Sequence, residues 1–105
     1  MNEDNLELTE EIDNDCCRIT VKGRVDSYSA DQLLEKLEKA LKDGKKSLVL
    51  NMAQVQYLSS IGIRVILKIY KDAKQAGCTF KIESPSQTVK NVLGILALKE
   101  LVITG

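Results

Sequence analysis

Leu48, Val49 and Leu50 form an uninterrupted apolar run between two segments whose apolar residues recur at helical spacing. This arrangement restricts the fold more than any other feature of the chain. A run without polar alternation suits a central strand covered on both faces, as parallel strands usually are. Parallel neighbours need a long crossover between them, and helices are the usual crossover. Upstream, Leu33, Leu34, Leu37, Ala40 and Leu41 make one apolar stripe, and Asp43-Gly44 supplies a glycine suited to a helix end. Ser29, with Gln32 three residues on, has the spacing of a capping box at the start of that helix. Glu35/Lys39 and Glu38/Lys42 are i,i+4 pairs on its polar side. Downstream, a second helix is expected over residues 61–76, with Gly77 as its stop. Apolar side chains occupy most of its circumference and leave one narrow strip of Arg64, Lys68, Lys71 and Gln75.

The remaining elements follow from the same periodicities. Leu6, Leu8 and Ile12 alternate with polar residues, and Asp13-Asn14-Asp15 signals a turn. Cys17, Ile19 and Val21 alternate in turn, so the two segments read as a hairpin that Gly23 closes. Cys78, Phe80 and Ile82 give a fourth strand. Ser84-Pro85-Ser86-Gln87 then reads as an N-cap, a proline at N1 and a glutamine at N3 of a third helix with Val89, Val92, Leu93 and Leu96 on one face. Leu101, Val102 and Ile103 make a last strand. The expected architecture is α/β: one domain over residues 1–105, in the order β-β-α-β-α-β-α-β. Its mixed four- or five-stranded sheet starts with a hairpin and has helices packed against it. Helices on both faces would cover such a sheet best.

Composition narrows the function classes. The chain has no histidine, which removes Ser-His-Asp and Cys-His catalysis and every His-bearing zinc site. Fifteen basic residues balance fifteen acidic ones, and aromatic residues make up 4%, so neither bulk charge nor base stacking points to nucleic acid. The balance is uneven along the chain. Residues 1–15 hold seven acids and no base, which leaves 15 bases and 8 acids for the rest. Such a segment reads as an acidic edge strand kept soluble by charge, or else the basic body steers toward an acidic partner. Cys16, Cys17 and Cys78 lack CxxC spacing. Cys17 and Cys78 fall at inward positions of their strands, where small buried hydrophobes belong. No metal, no cofactor, no membrane segment and a reduced, cytoplasmic setting are expected.

Ser59 and Ser60 stand immediately before the second helix. The ordinary role of serine there is to cap a free N–H of the first turn. The same place also suits a modification, because free N–H groups and the helix dipole tolerate an anion. A phosphate esterified to Ser60 would add about −1.5 to −2 charges without requiring the fold to move. Gly62 would leave the backbone bare beside it for a close approach. A serine nucleophile is the weaker option. GxSxG is absent, and Lys68, about two turns beyond Ser60, is poorly placed to act as its base.

These residues carry a resemblance. Leu48, Val49, Leu50 and Asn51, then Tyr57, Leu58, Ser59-Ser60-Ile61-Gly62 and the mainly apolar stretch 63–67 resemble the signature of the STAS domains, and among them the bacterial anti-sigma-factor antagonists. Gly23-Arg24-Val25-Asp26, with Ala30 and Leu33, resembles the family's Gly-x-[Leu/Val]-Asp turn into its first helix, and residues 83–102 follow its rhythm. The resemblance implies a regulatory binding protein rather than an enzyme. In that family an unphosphorylated antagonist binds an anti-sigma factor that is itself a serine kinase. Phosphorylation ends the complex, a PP2C-type phosphatase resets it, and sigma-factor-dependent transcription follows. By position the phosphoacceptor falls on Ser60, with Ser59 as the alternate, and Asp26, Ser59, Gly62 and Arg64 fall at the docking surface. Two positions depart from the pattern: Ser59 stands where the best-studied members have Asp, and Arg64 where glycine is frequent. The alternative that the resemblance leaves open is a non-phosphorylated STAS scaffold or sensor module in a larger signalling complex.

Overall fold

A computed structural model describes residues 6–95 and 102–103. The order is β1 (Glu7–Asp13), β2 (Cys16–Val25), α1 (Ser29–Lys42), β3 (Ser47–Leu58), α2 (Ser60–Ala76), β4 (Thr79–Glu83), α3 (Gln87–Ile95) and β5 (Val102–Ile103). The five strands form one sheet in the order β1-β2-β3-β4-β5, with β1 antiparallel to β2 and every later pair parallel. The expected α/β class, hairpin start and mixed sheet are all present.

Strand order repeats chain order, and this decides where the helices go. Each βαβ crossover moves one strand in the same direction, and right-handed crossovers then deliver every helix to the same face. Burial agrees. Cys17, Ile19 and Val21 of β2, Leu48, Leu50 and Met52 of β3, and Phe80 and Ile82 of β4 share one core with Leu33 and Leu37 of α1, Ile66 and Ile69 of α2, and Val89 of α3. The opposite face carries Arg18, Thr20 and Lys22, then Asn51, then Lys81 and Glu83. Helices on both faces are therefore not what the described residues form. Val49, on this open face, is nonetheless 6% exposed. Its register neighbours are Arg18 and Lys81, and the aliphatic stems of such side chains cover apolar surface while their charges stay in water.

Four local expectations change. Gly23 does not close β2. At φ 106° it lies inside the strand, beside a register shift against β3, and pairing resumes to Val25. Ser29 is not an N-cap but the first residue of α1, and Asp26 supplies the carboxylate that ties the turn. The cap of the third helix is Ser86, whose Oγ accepts from the Val89 N–H at 3.3 Å, whereas Ser84 sits at a positive φ of 49° in the preceding loop. On α1, Lys39 pairs with Asp43 and Glu38 with Lys68 of α2, in place of the expected Glu35/Lys39 and Glu38/Lys42 pairs. Gly44 and Gly77 are both left-handed at the helix ends, at φ 78° and 72°. Leu96 and Leu101, and the side chains of Leu93, Val102 and Ile103, lie outside what is described.

The described part of the acidic segment contains the edge strand β1, and three of its carboxylates face bases. Glu7 pairs with Lys22 at 3.7 Å, Glu10 with Lys36 at 3.2 Å and Asp15 with Lys46 at 3.9 Å. Edge charge of this kind discourages pairing with another chain. Ile12, at the far end of the edge, is 56% exposed.

Candidate functional site

The site is set by the length of β3. β4 pairs only with residues 47–51 of it, while β2 follows it to Leu58. β3 holds two residues more than the stretch of β2 it pairs with, which appear as two register shifts. Its core-facing residues are accordingly spaced 48, 50, 52, 55, 58. Asn51 sits at the first shift. Its Oδ1 accepts from the Ala53 N–H at 3.1 Å, and its Nδ2 donates to Glu83 Oε2 at 3.0 Å. The other oxygen of Glu83 accepts from Arg18 at 2.8 Å. Three strands are thus tied on the open face where β3 leaves β4. The stretch between the apolar run at residues 48–50 and the serine pair is thus a bulged strand.

At the far end of β3, the Ser59 N–H donates to the Val25 carbonyl at 2.9 Å, which stitches the start of α2 to the end of β2. Ser59 is the N-cap of α2: its backbone is extended (φ −76°, ψ 169°), and its Oγ accepts from the Gly62 N–H at 3.1 Å. Ser60 is the first helical residue and is exposed. The N–H groups of Ser60 and Ile61 meet no protein acceptor among the described residues. No acidic residue stands in the first turn, so nothing on the helix itself offsets the partial positive charge of its N-terminus.

Gly62 does not lie at the surface as expected. It is buried, and a Cβ there would come within 2.7 Å of Val25 Cγ1 and 2.8 Å of Leu58 Cδ1. Its missing side chain lets the first turn of α2 lie against the ends of β2 and β3. Asp26 is half-buried and bonded internally. Its Oδ1 accepts from the N–H groups of Tyr28 and Ser29, both at 3.0 Å, and lies 3.0 Å from the Ser29 hydroxyl. Those bonds, with Ser29 the largest influence, hold the Asp26 carboxyl below its usual range. Arg64 is exposed one turn along α2 from Ser60. Lys68 is bonded to Asp72 at 2.6 Å and to Glu38 at 3.4 Å, which raises its pKa and keeps it a cation rather than a base.

The same end of the molecule presents large side chains that the sequence reading did not count as site residues. Tyr28 is 89% exposed, and Tyr57 and Ile61 are each 40% exposed. Arg24 lies over the Tyr57 ring at 4.2 Å. Because Val25 pairs with Leu58, Tyr28, Tyr57, Ile61 and Ser60 all belong to the region where β2 and β3 end and α1 and α2 begin. Exposed tyrosines grouped with an arginine are the composition of a protein-binding hot spot. The available signal was Tyr28 itself, an aromatic set between two serines in a turn.

A sequential mixed sheet, with a serine cap where its longest strand passes into a helix, defines a small α/β fold. The chain belongs to the STAS domain family, whose model matches residues 7–104. It is similar to the anti-sigma-B factor antagonist of Bacillus subtilis (strain 168), 29% identical over 81% of this chain and 77% of that one. In fold it is similar to the anti-sigma factor antagonist SpoIIAA in its unphosphorylated form (TM-score 0.82, 18% identity, 96% of this chain and 88% of that one). It is also similar to the Bacillus cell fate determinant SpoIIAA in its phosphorylated form (TM-score 0.79, 17% identity, 96% of this chain and 91% of that one).

Proposed function

We propose that this protein is an anti-sigma-factor antagonist switched by phosphorylation of Ser60. In the unmodified state the surface around Ser60 docks on an anti-sigma factor with serine kinase activity, and the sigma factor is freed for transcription. The Ser60 Oγ then attacks the γ-phosphorus of the kinase's ATP. The new O–P bond forms as the bond to ADP breaks, and the hydroxyl proton passes to a base on the kinase. A dianion now stands among Tyr28, Tyr57 and Ile61, where a partner would have to desolvate it, and the complex dissociates. A PP2C-type phosphatase restores the hydroxyl. The protein is substrate and ligand in this cycle, not catalyst, and a cytoplasmic setting goes with it.

The observation that carries this reading is the different state of the two hydroxyls. Ser59 is committed to capping Gly62, whereas Ser60 is exposed at an uncompensated helix N-terminus. Asp26, expected among the docking residues, contributes by fixing the loop that carries Tyr28. Incubation with the cognate kinase and ATP, followed by mass spectrometry, tests the assignment. Phosphate should appear on wild type and vanish from Ser60→Ala. Undiminished phosphate on that variant would remove Ser60 from the role, and phosphate on Ser59 would transfer the role to the alternate residue. The departures at Ser59 and Arg64 favour keeping a second reading, a STAS scaffold or sensor module that binds without modification. Partner binding that is indifferent to Ser60→Glu and to the kinase would select it.

A further inference from the structure

We infer that Arg64 is the intramolecular partner of a phosphate carried on Ser60. The inference rests on the reading of Ser60 as the modified residue and adds what receives the charge.

Ser60 and Arg64 stand at i and i+4 on α2, and both are exposed. Residues at that spacing are neighbours on a helix surface. Helical side chains also lean toward the N-terminus, so the residue at i+4 covers the turn in which residue i sits. A guanidinium at position 64 is therefore within reach of a group carried on the serine.

No acidic residue within one turn of it on α2 competes for it. The remaining helical neighbours of Arg64 are Ile61, Leu67 and Lys68, none of them acidic, and Arg64 has no hydrogen bond or ion pair among the described residues. Lys68, the next cation along the strip, is occupied by Asp72 and Glu38. Of the charged groups that neighbouring elements bring to this end, Asp31 in the first turn of α1 makes no ion pair among the described residues, and two others are engaged. Asp26 is bonded to the first turn of α1, and Arg24 lies over the Tyr57 ring. The phosphate thus meets one uncommitted guanidinium, a planar donor suited to two phosphate oxygens at once. Arg64 is presented to solvent before modification and folded onto the phosphate after it, so one modification changes two features of the surface.

The test does not depend on any kinase. Phosphoserine is installed at position 60 during synthesis by nonsense suppression, and its second ionisation is followed by phosphorus NMR. In low salt the phosphate should titrate about 0.2–0.4 pH unit lower with Arg64 present than in Arg64→Gln. The difference should largely vanish in ~1 M salt, where the Debye length is short. Arg64→Lys should keep part of the shift, and Lys71→Gln should leave it whole. The Arg64 side-chain N–H resonance should move between the Ser60 and phosphoserine forms. Equal titration of wild type and Arg64→Gln in low salt, or a shift that follows Lys71 instead, would overturn the inference. A chain that its kinase never modifies would still give this result, so failure here and failure of the Ser60 assignment are separable.

Discussion

At the residue scale, two adjacent serines do different work because one carbonyl holds the chain between them. The bond from the Ser59 N–H to Val25 fixes Ser59 in the capping conformation and leaves Ser60 as the first helical residue. Ser59→Ala should therefore cost about 1 kcal/mol in urea unfolding, while Ser60→Ala should change stability by less than about 0.5 kcal/mol. Equal losses would mean that the cap is shared. Asp26 gives a pH signature. Its folded pKa lies below the ordinary aspartate value, so its contribution is fully present above the unfolded pKa and fades as pH falls through the folded one. The stability gap between wild type and Asp26→Asn should narrow below about pH 4, measured by denaturant midpoints across that range. The motif positions of both serines were legible in the sequence. The burial of Gly62 was not, because it depends on Val25, far away in the chain and brought close only by the β2–β3 register.

At the element scale, periodicity located every helix because each buries one stripe against the sheet. α2 starts at Ser60, one residue before the expected start, and stops at the expected glycine. The second half of β3 escaped the same reading. Inward residues three apart, as in Met52, Val55 and Leu58, break the two-residue period of a strand, and only pairing with β2 reveals the two inserted residues. The first of them is held by Asn51, a residue visible in the motif but without an evident reason in the sequence. Asn51→Ala removes the acceptor for the Ala53 N–H and one partner of Glu83. A loss of about 1–2 kcal/mol is expected from the unmet hydrogen bonds. The amide exchange of residues 53–58 should also rise more than that of residues 48–50. Uniform exchange along β3 would refute the local role.

At the scale of the whole molecule, the helices on one face divide the cysteines by accessibility. Burial, reinforced by the hydrogen bond to Glu10, pushes the Cys17 thiol up to about 11, and burial raises Cys78 as well. Cys16 points to the open face and is half-buried. A thiol-disulfide reagent at neutral pH should label Cys16 first, and Cys17 and Cys78 only on unfolding. Prompt loss of all three thiols would show that the core opens readily. The charge split that is plain in the sequence has a local explanation here, since the acids of β1 meet bases on β2 and α1. The agreement of strand order with chain order reaches further, into how the molecule is made. Each strand after the first is laid against the one synthesised just before it. The edge on which each new strand pairs thus already belongs to the segment before it in the chain. No strand has to be inserted between two that have already paired, and the β2–β3 junction that carries Ser60 is complete without any contribution from β5.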